Sequence, residues 1–185
     1  MKSLIIDASQ DQLAVVLIDG EKVYKKIGEK GARRHTKAIL TSIDELLVDA
    51  CVSPKEVDSV GVVVGPGSFT GIRIGVATAN AFAKATSAKI YELTSLEVLA
   101  YNKDNVLALL DCKHDNYYAL YRSNGEDSYM PITASEIAGF ATAERVYYEA
   151  PDVDKLVATY LDKVNKGLSK RVAEPFYMKK SSAEN

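Results

Sequence analysis

The residues able to do chemistry are few and scattered. His35 and His114 are the only histidines in 185 residues, and Ile39 and Tyr118 stand four places on, where a helical metal pair needs its second ligand. Cys51 and Cys112 form neither a CxxC pair nor a zinc spacing, and both read as buried, reduced thiols. No metal site is expected. Asp7 ends an apolar run and precedes Ala8 and Ser9, so it could approach a metal or a phosphate. A carboxylate there caps a hairpin turn equally well. Asp111 and Asp115 offer a second pair of carboxylates, but no nucleophile or base comes with them, and loop polarity accounts for both. Arg33, Arg34 and Lys37 form one basic group and Lys163, Lys166, Lys170 and Arg171 another; both read as solvated surface.

The densest signal is GPGSFTGIRIGVATANAFA, from Gly65 to Ala83. Gly65, Gly67 and Ser68 fall between an apolar strand and a helix start, where backbone N–H groups and the helix dipole favour an anion, which makes them candidates to face a phosphate. The loop lacks the lysine of GxxxxGK[ST], and its GxGxxxG spacing misses GxGxxG. A glycine turn with Ser68 as N-cap, worth about 1 kcal/mol, explains it at least as well. Within the helix, Gly71, Gly75, Ala79 and Ala83 recur every four residues and mark a face for close packing. Ile74, Ala77, Ala81 and Ala85 occupy the opposite surface, so apolar positions extend most of the way round. Burial inside the monomer and docking of a second subunit both fit that pattern.

The elements that must position these residues follow from periodicity. Strands are expected at Ser3 to Asp7, Leu13 to Asp19 and Lys22 to Ile27, the last an edge strand guarded by lysines. A helix from His35 to Cys51 carries Ile39, Ile43, Leu46, Leu47 and Ala50 on one stripe, widened by Leu40. The apolar strand Val57 to Val64 leads into the glycine loop and a helix from Phe69 to Thr86. A strand from Lys89 to Leu93 and a helix from Ser95 to about Tyr101 close this half, whose order is βββαβαβα. A shorter series follows: strands Val106 to Asp111, Asn116 to Arg122 and Asp127 to Ile132, a short helix at Ala134 to Phe140, and a strand at Arg145 to Glu149. A last helix runs from Asp152 to Lys166, with Val153, Leu156, Val157, Tyr160, Leu161 and Val164 on one face.

Composition narrows the classes. The chain is 47% hydrophobic and 26% charged, and its net charge of -2 gives no global attraction to polyanions. No apolar stretch approaches the roughly 20 residues needed to span a bilayer. The start, with Leu4, Ile5 and Ile6 before Asp7, is too short for a signal-peptide core, so a cytoplasmic location is expected.

Taken together, the glycine segment, RRHTKAILTSIDELL at Arg33 to Leu47, IIDAS at Ile5 to Ser9, LDCKHDNYYALYR at Leu110 to Arg122 and EPFYMKK at Glu174 to Lys180 resemble the TsaB (YeaZ) family. The resemblance implies an α/β, actin-like (sugar-kinase-like, Hsp70-like) two-lobed fold built from βββαβα units. Its N-terminal lobe would cover residues 1–103, and a shortened second lobe with the tail would cover 104–185. It implies a noncatalytic scaffold for a TsaD-type catalytic subunit making N6-threonylcarbamoyladenosine at tRNA position 37. A TsaE-type ATPase would join the assembly, tRNA would be met through the complex, and ATP and metal would sit on partner subunits rather than here. In the catalytic relative a metal-binding HxxxH lies on the helix after the strand that follows the glycine joint; Ser95 and Leu99 hold those places in this chain. The partner would dock on the helices starting near His35 and Phe69, with Ile39, Ile43, Leu46, Ile74 and Ala77 as candidate contacts. An independent kinase or phosphotransferase of the same fold, and a self-associating structural protein or homodimer, are the competing readings.

Overall fold

Three strands open the chain: β1 (Lys2–Asp7), β2 (Ala14–Asp19) and β3 (Lys22–Ile27). β1 and β2 read as unbroken apolar runs because both of their faces are buried, whereas β3 is largely exposed and lies at the sheet edge. The computed structural model describes the backbone of residues 1–30 and 35–178 and the side chains of 1–30 and 38–178. The side chains of Arg33, Arg34, His35 and Lys37, and the tail lysines Lys179 and Lys180, therefore fall outside the described parts.

Helix α1 (His35–Asp49) follows, then a 3-10 turn at Pro54–Glu56, β4 (Ser59–Val63), α2 (Phe69–Thr86), β5 (Lys89–Leu93) and a short α3 (Ser95–Leu99). The first sheet has the order β3-β2-β1-β4-β5, antiparallel among the first three strands and parallel from β1 onward. The second half repeats the plan: β6 (Val106–Asp111), β7 (Asn116–Ser123), β8 (Glu126–Thr133) and β9 (Glu144–Tyr147) make a sheet ordered β8-β7-β6-β9, with β9 again parallel to the first strand of its set. This is the duplicated, actin-like plan, with the second copy one strand shorter among the described residues.

Several boundaries differ from expectation for local reasons. The helix expected at Ala134 to Phe140 is a 3-10 turn at Glu136–Phe140, which contains Gly139, a poor α-helix former. β4 begins at Ser59 because Val57 still closes the 3-10 turn, its N–H bonded to Pro54 O at 3.2 Å. α1 stops in a Schellman turn: Cys51 takes a left-handed φ of 53°, and the N–H groups of Cys51 and Val52 return to the carbonyls of Val48 and Leu47. That cap turns the Cys51 side chain outward. Cys51 is exposed and Cys112 half-buried, against the expectation of two buried thiols; neither forms a disulfide.

Two layers flank the first sheet. α1 and α2 cover one face, packing Ile39, Ile43, Leu46, Ile72, Val76 and Ala79 against Leu4, Ile6, Val15 and Val62. The other face is covered by α4 (Val153–Asn165), which follows the second sheet in sequence and crosses back to lay Val153, Leu156 and Tyr160 on Ile5, Val16, Val63 and Leu93. Beyond α4 the tail runs along β5, with Lys170 N–H bonded to Ile90 O at 2.7 Å and Phe176 N–H to Val64 O at 2.8 Å.

Candidate functional site at the glycine joint and outer helix faces

The glycine joint is closed by the protein's own backbone. The peptide between Gly65 and Pro66 is cis. A Cβ on Gly67 would stand 2.1 Å from Ser9 O, and one on Gly71 2.0 Å from Ala8 O, so the β1–β2 turn occupies the space glycine leaves. On the other side, a Cβ on Gly65 would meet Phe176 O at 2.6 Å. Ser68 N–H donates to Ser9 O at 2.6 Å, and the Ser68 hydroxyl caps α2 by accepting from Gly71 N–H at 3.2 Å. Of the candidates to face a phosphate, Gly67 and Ser68 thus face the Ser9 carbonyl of the turn and Gly65 the Phe176 carbonyl of the tail; such oxygens repel an anion where a cradle would attract one.

Asp7 and Ser95 join this joint through Ser9. Asp7 Oδ1 accepts from Ser9 N–H at 2.9 Å and from Ser9 Oγ at 2.6 Å, the turn-capping role foreseen for it. Burial pushes the Asp7 carboxyl above the ordinary range, with the two Ser9 hydrogen bonds acting the other way. Ser95 Oγ lies 3.0 Å from Ser9 Oγ and donates to Pro66 O at 2.8 Å. Ser95, the place to which the resemblance assigned a histidine in the catalytic relative, thus holds a hydroxyl that ties α3 to the joint. Sequence reasoning treated these as separate features; only the fold brings them together. Asp111 likewise serves its own turn, accepting Lys113 N–H at 2.7 Å, and His114 is exposed. Among the described residues no group of three or more His, Cys, Asp or Glu is placed to hold a metal ion. In the second basic group, Lys163 pairs with Glu97.

On α2, Gly71, Gly75, Ala79 and Ala83 are all buried. The docking candidates divide. Ile39, Ile43 and Leu46 are 0%, 3% and 1% exposed and belong to the lobe's core, so they do not face a partner. The widest apolar stripe of a surface helix turns to its own sheet, and outward contacts must come from apolar residues that interrupt the polar side. On α1 those are Leu40, 57% exposed, and Val48, 74% exposed, positions eight residues apart and hence on one side of the helix. On α2, Ile74 is half-buried while Ala77, Ala81 and Ala85 are exposed. Leu40 widens the stripe, and its place off the stripe's centre is the signal in the sequence that it points elsewhere.

The amino end of α2 carries a further surface cluster that sequence reasoning missed. Arg73 lies 3.8 Å over the Phe69 ring and donates from Nε to Tyr177 OH at 3.0 Å, so the tail is fastened to the helix. Phe176 meets Tyr129 of the second lobe edge-on at 5.3 Å, and Tyr129 Oη is 3.1 Å from Thr94 Oγ1.

A family model described as TsaD: tRNA N6-adenosine threonylcarbamoyltransferase matches residues 6–181. The tRNA threonylcarbamoyladenosine biosynthesis protein TsaB of Haemophilus influenzae is 33% identical over 122 residues, 62% of this chain and 51% of that protein. The TsaB protein of Bacillus subtilis is 32% identical over 102 residues, 55% and 44% of the two chains. The chain belongs to this family, on its TsaB (YeaZ) branch. The match spans about half the length of these curated TsaB relatives. A crystal structure from Pseudomonas aeruginosa, described as an uncharacterized protein with similarity to peptidase YEAZ, superposes with a TM-score of 0.79 at 20% identity, covering 96% of this chain and 99% of that one. That likeness establishes a common fold. Among the described residues no helix is long and apolar enough to cross a membrane.

Proposed function

We propose that the chain is a noncatalytic, cytoplasmic subunit that docks a TsaD-type catalytic subunit and supports formation of N6-threonylcarbamoyladenosine at tRNA position 37. The observation that carries this reading is the exposed apolar surface formed by Leu40 and Val48 on α1 and Ala77 and Ala81 on α2, in a chain of the TsaB branch. Both helices cover the same face of the first sheet, so one partner surface can meet both. ATP and metal would then be supplied by partner subunits, with a TsaE-type ATPase joining and tRNA met through the assembled complex.

The test is to mix the purified chain with its TsaD-type counterpart and follow association by sedimentation, together with nucleoside modification in the presence and absence of the chain. A stable complex and modification that depends on it are expected. Absence of association, with modification proceeding equally without the chain, would refute the reading. Turnover of ATP in the presence of magnesium by the chain alone would favour the independent kinase instead. A homodimer that competes with the counterpart would mark the same helix surface as shared by both pairings.

A further inference from the structure

On α2 the surface assigned above to a partner consists of alanines, each of which has a single methyl group to bury, whereas an aromatic ring buries about 150–250 Å2. Interfaces draw most of their binding energy from a few large anchors, among which Tyr and Arg are prominent. Counting back from Ala77 in steps of four along the same side of α2 leads to Arg73 and Phe69. Arg73 is exposed, and Phe69 is 42% exposed. The tail reaches the same place. Asn80 holds it at Ala173, and the Tyr177 hydroxyl accepts from Arg73 Nε at 3.0 Å. The stretch from Ala173 to Tyr177 extends at most about 14 Å, and the helix covers about 10 Å between Asn80 and Arg73. The tail therefore lies alongside α2 and runs toward its amino end. α1 lies over β2 and β3 while the tail follows β5, which leaves α2 between them. The outer face has three ridges rather than two.

The third ridge fixes how Arg73 is presented. Its guanidinium carbon lies 3.8 Å from the centre of the Phe69 ring and 5.9 Å from that of Tyr177, and the two ring centres are 5.4 Å apart. Stacking on one ring and a hydrogen bond to the hydroxyl of the other hold the plane of the guanidinium. Nε is spent on Tyr177, while Nη1 and Nη2 make no hydrogen bond or ion pair among the described residues. Two donors held in one plane match the two oxygens of a carboxylate. A group already immobilised loses less freedom on binding than a free side chain does. We propose that the docking surface for the TsaD-type subunit includes the tail, and that Arg73, held against Phe69 by Tyr177, takes an Asp or Glu carboxylate of that subunit on its two Nη groups. The inference rests on the proposed function and deepens it, because the apolar helix contact described there includes neither the tail nor a charged anchor. Tyr177 is then a positioning residue, and a chain whose tail is detached presents an unaimed arginine to its partner.

The test uses the full chain and its purified TsaD-type counterpart, with association measured by calorimetry at several salt concentrations and folding followed by circular dichroism. Association of the unsubstituted chain should weaken as salt rises. Arg73→Gln should weaken it about tenfold or more at low salt and flatten the salt dependence. Arg73→Lys keeps the charge without the fork, so it should restore the salt dependence but only part of the affinity. Tyr177→Phe keeps the ring and removes the acceptor that aims Nε, and should weaken association about threefold or more. Full-strength binding by folded Arg73→Gln and Tyr177→Phe, beside a loss with Leu40→Glu, would overturn this inference and leave the proposed function standing. Weaker binding by Arg73→Gln with an unchanged salt dependence would make Arg73 a fastening for the tail and overturn the carboxylate contact. Absence of association by the unsubstituted chain, or pairing of two copies of it in place of the counterpart, would overturn both readings. Should Arg73→Gln not fold, Tyr177→Phe and the salt dependence of the unsubstituted chain decide, and salt-insensitive association would refute the charged anchor.

Discussion

The ring of Tyr160, on α4, lies where a side chain on Gly61 of β4 would stand: a Cβ built on Gly61 comes within 2.6 Å of Tyr160 Cδ2. Tyr160 is wholly buried, and its hydroxyl reaches past the glycine to Ser59 Oγ at 2.6 Å, which in turn lies 3.1 Å from Ser3 Oγ. Tyr91 meets the same ring edge-on at 5.7 Å. One missing methyl group in the first sheet thus admits the largest side chain contributed by the last helix.

Gly61→Ala should therefore destabilise the protein by about 1–3 kcal/mol, the usual cost of forcing an extra carbon into a packed core. Chemical denaturation should show a lower midpoint with an unchanged slope. A midpoint equal to that of the unsubstituted protein would mean that α4 does not rest on Gly61.

The glycines of the α2 face are not equivalent. A Cβ at Gly71 would stand 2.0 Å from the Ala8 carbonyl oxygen, whereas one at Gly75 would rest 3.4 Å from the Ala8 methyl group. Gly71→Ala should cost 3 kcal/mol or more, roughly the upper end for overpacking against backbone, while Gly75→Ala should stay within about 1 kcal/mol because helix propensity offsets the closer contact. Thermal midpoints of the two variants should differ clearly, and in that order.

The partner surface makes a paired prediction. Leu40→Glu and Ala77→Glu place carboxylates on exposed helix positions and should leave the fold intact while weakening association with a TsaD-type counterpart by tenfold or more, about 1.4 kcal/mol. Ile43→Glu should instead unfold the lobe, since that side chain is in the core. Circular dichroism and sedimentation on the same preparations separate the two outcomes.

Asp7 sets a pH dependence opposite to that of most structural carboxylates. Its pKa is raised in the folded state, mainly by burial, so the folded protein holds that proton more tightly than the unfolded chain. The associated cost is absent below the ordinary carboxylate pKa, grows as pH rises toward the raised value, and is complete above it. Asp7→Asn removes this titration. The stability of the variant relative to the unsubstituted protein should therefore improve from pH 4 to pH 7 in urea titrations; a difference that stays constant or reverses over that range would contradict the assignment.

Asn80 holds the tail with both ends of its amide, donating to Ala173 O and accepting from Ala173 N–H, each at 2.9 Å. Asn80→Leu leaves both tail groups without that partner and should cost about 1–3 kcal/mol. Limited proteolysis should then cut first between Leu168 and Met178.

The strands and long helices were legible because apolar periodicity and turn chemistry report them locally, as in the Asp19–Gly20 hairpin and the Ser68 cap. What periodicity cannot report is the identity of the surface that a buried face meets. Ile39, Ile43 and Leu46 were rightly marked for burial and wrongly assigned to a partner, because a stripe looks the same against a sheet or a subunit. α4 was likewise recognised as amphipathic, but nothing in Val153 to Val164 says that it returns to the first sheet. The joining of Asp7 to Ser95 through Ser9 depends on chain segments that no local pattern links.

The return of α4 also bears on how the protein is made. A ribosome delivers the first sheet well before the helix that covers its second face, so Ile5, Val16, Val63 and Leu93 await their cover until residues up to Asn165 have emerged. While the residues between β5 and α4 are being added, the nascent chain presents a finished apolar sheet surface to whatever waits at the exit tunnel, and a stop within that interval leaves that surface permanently bare.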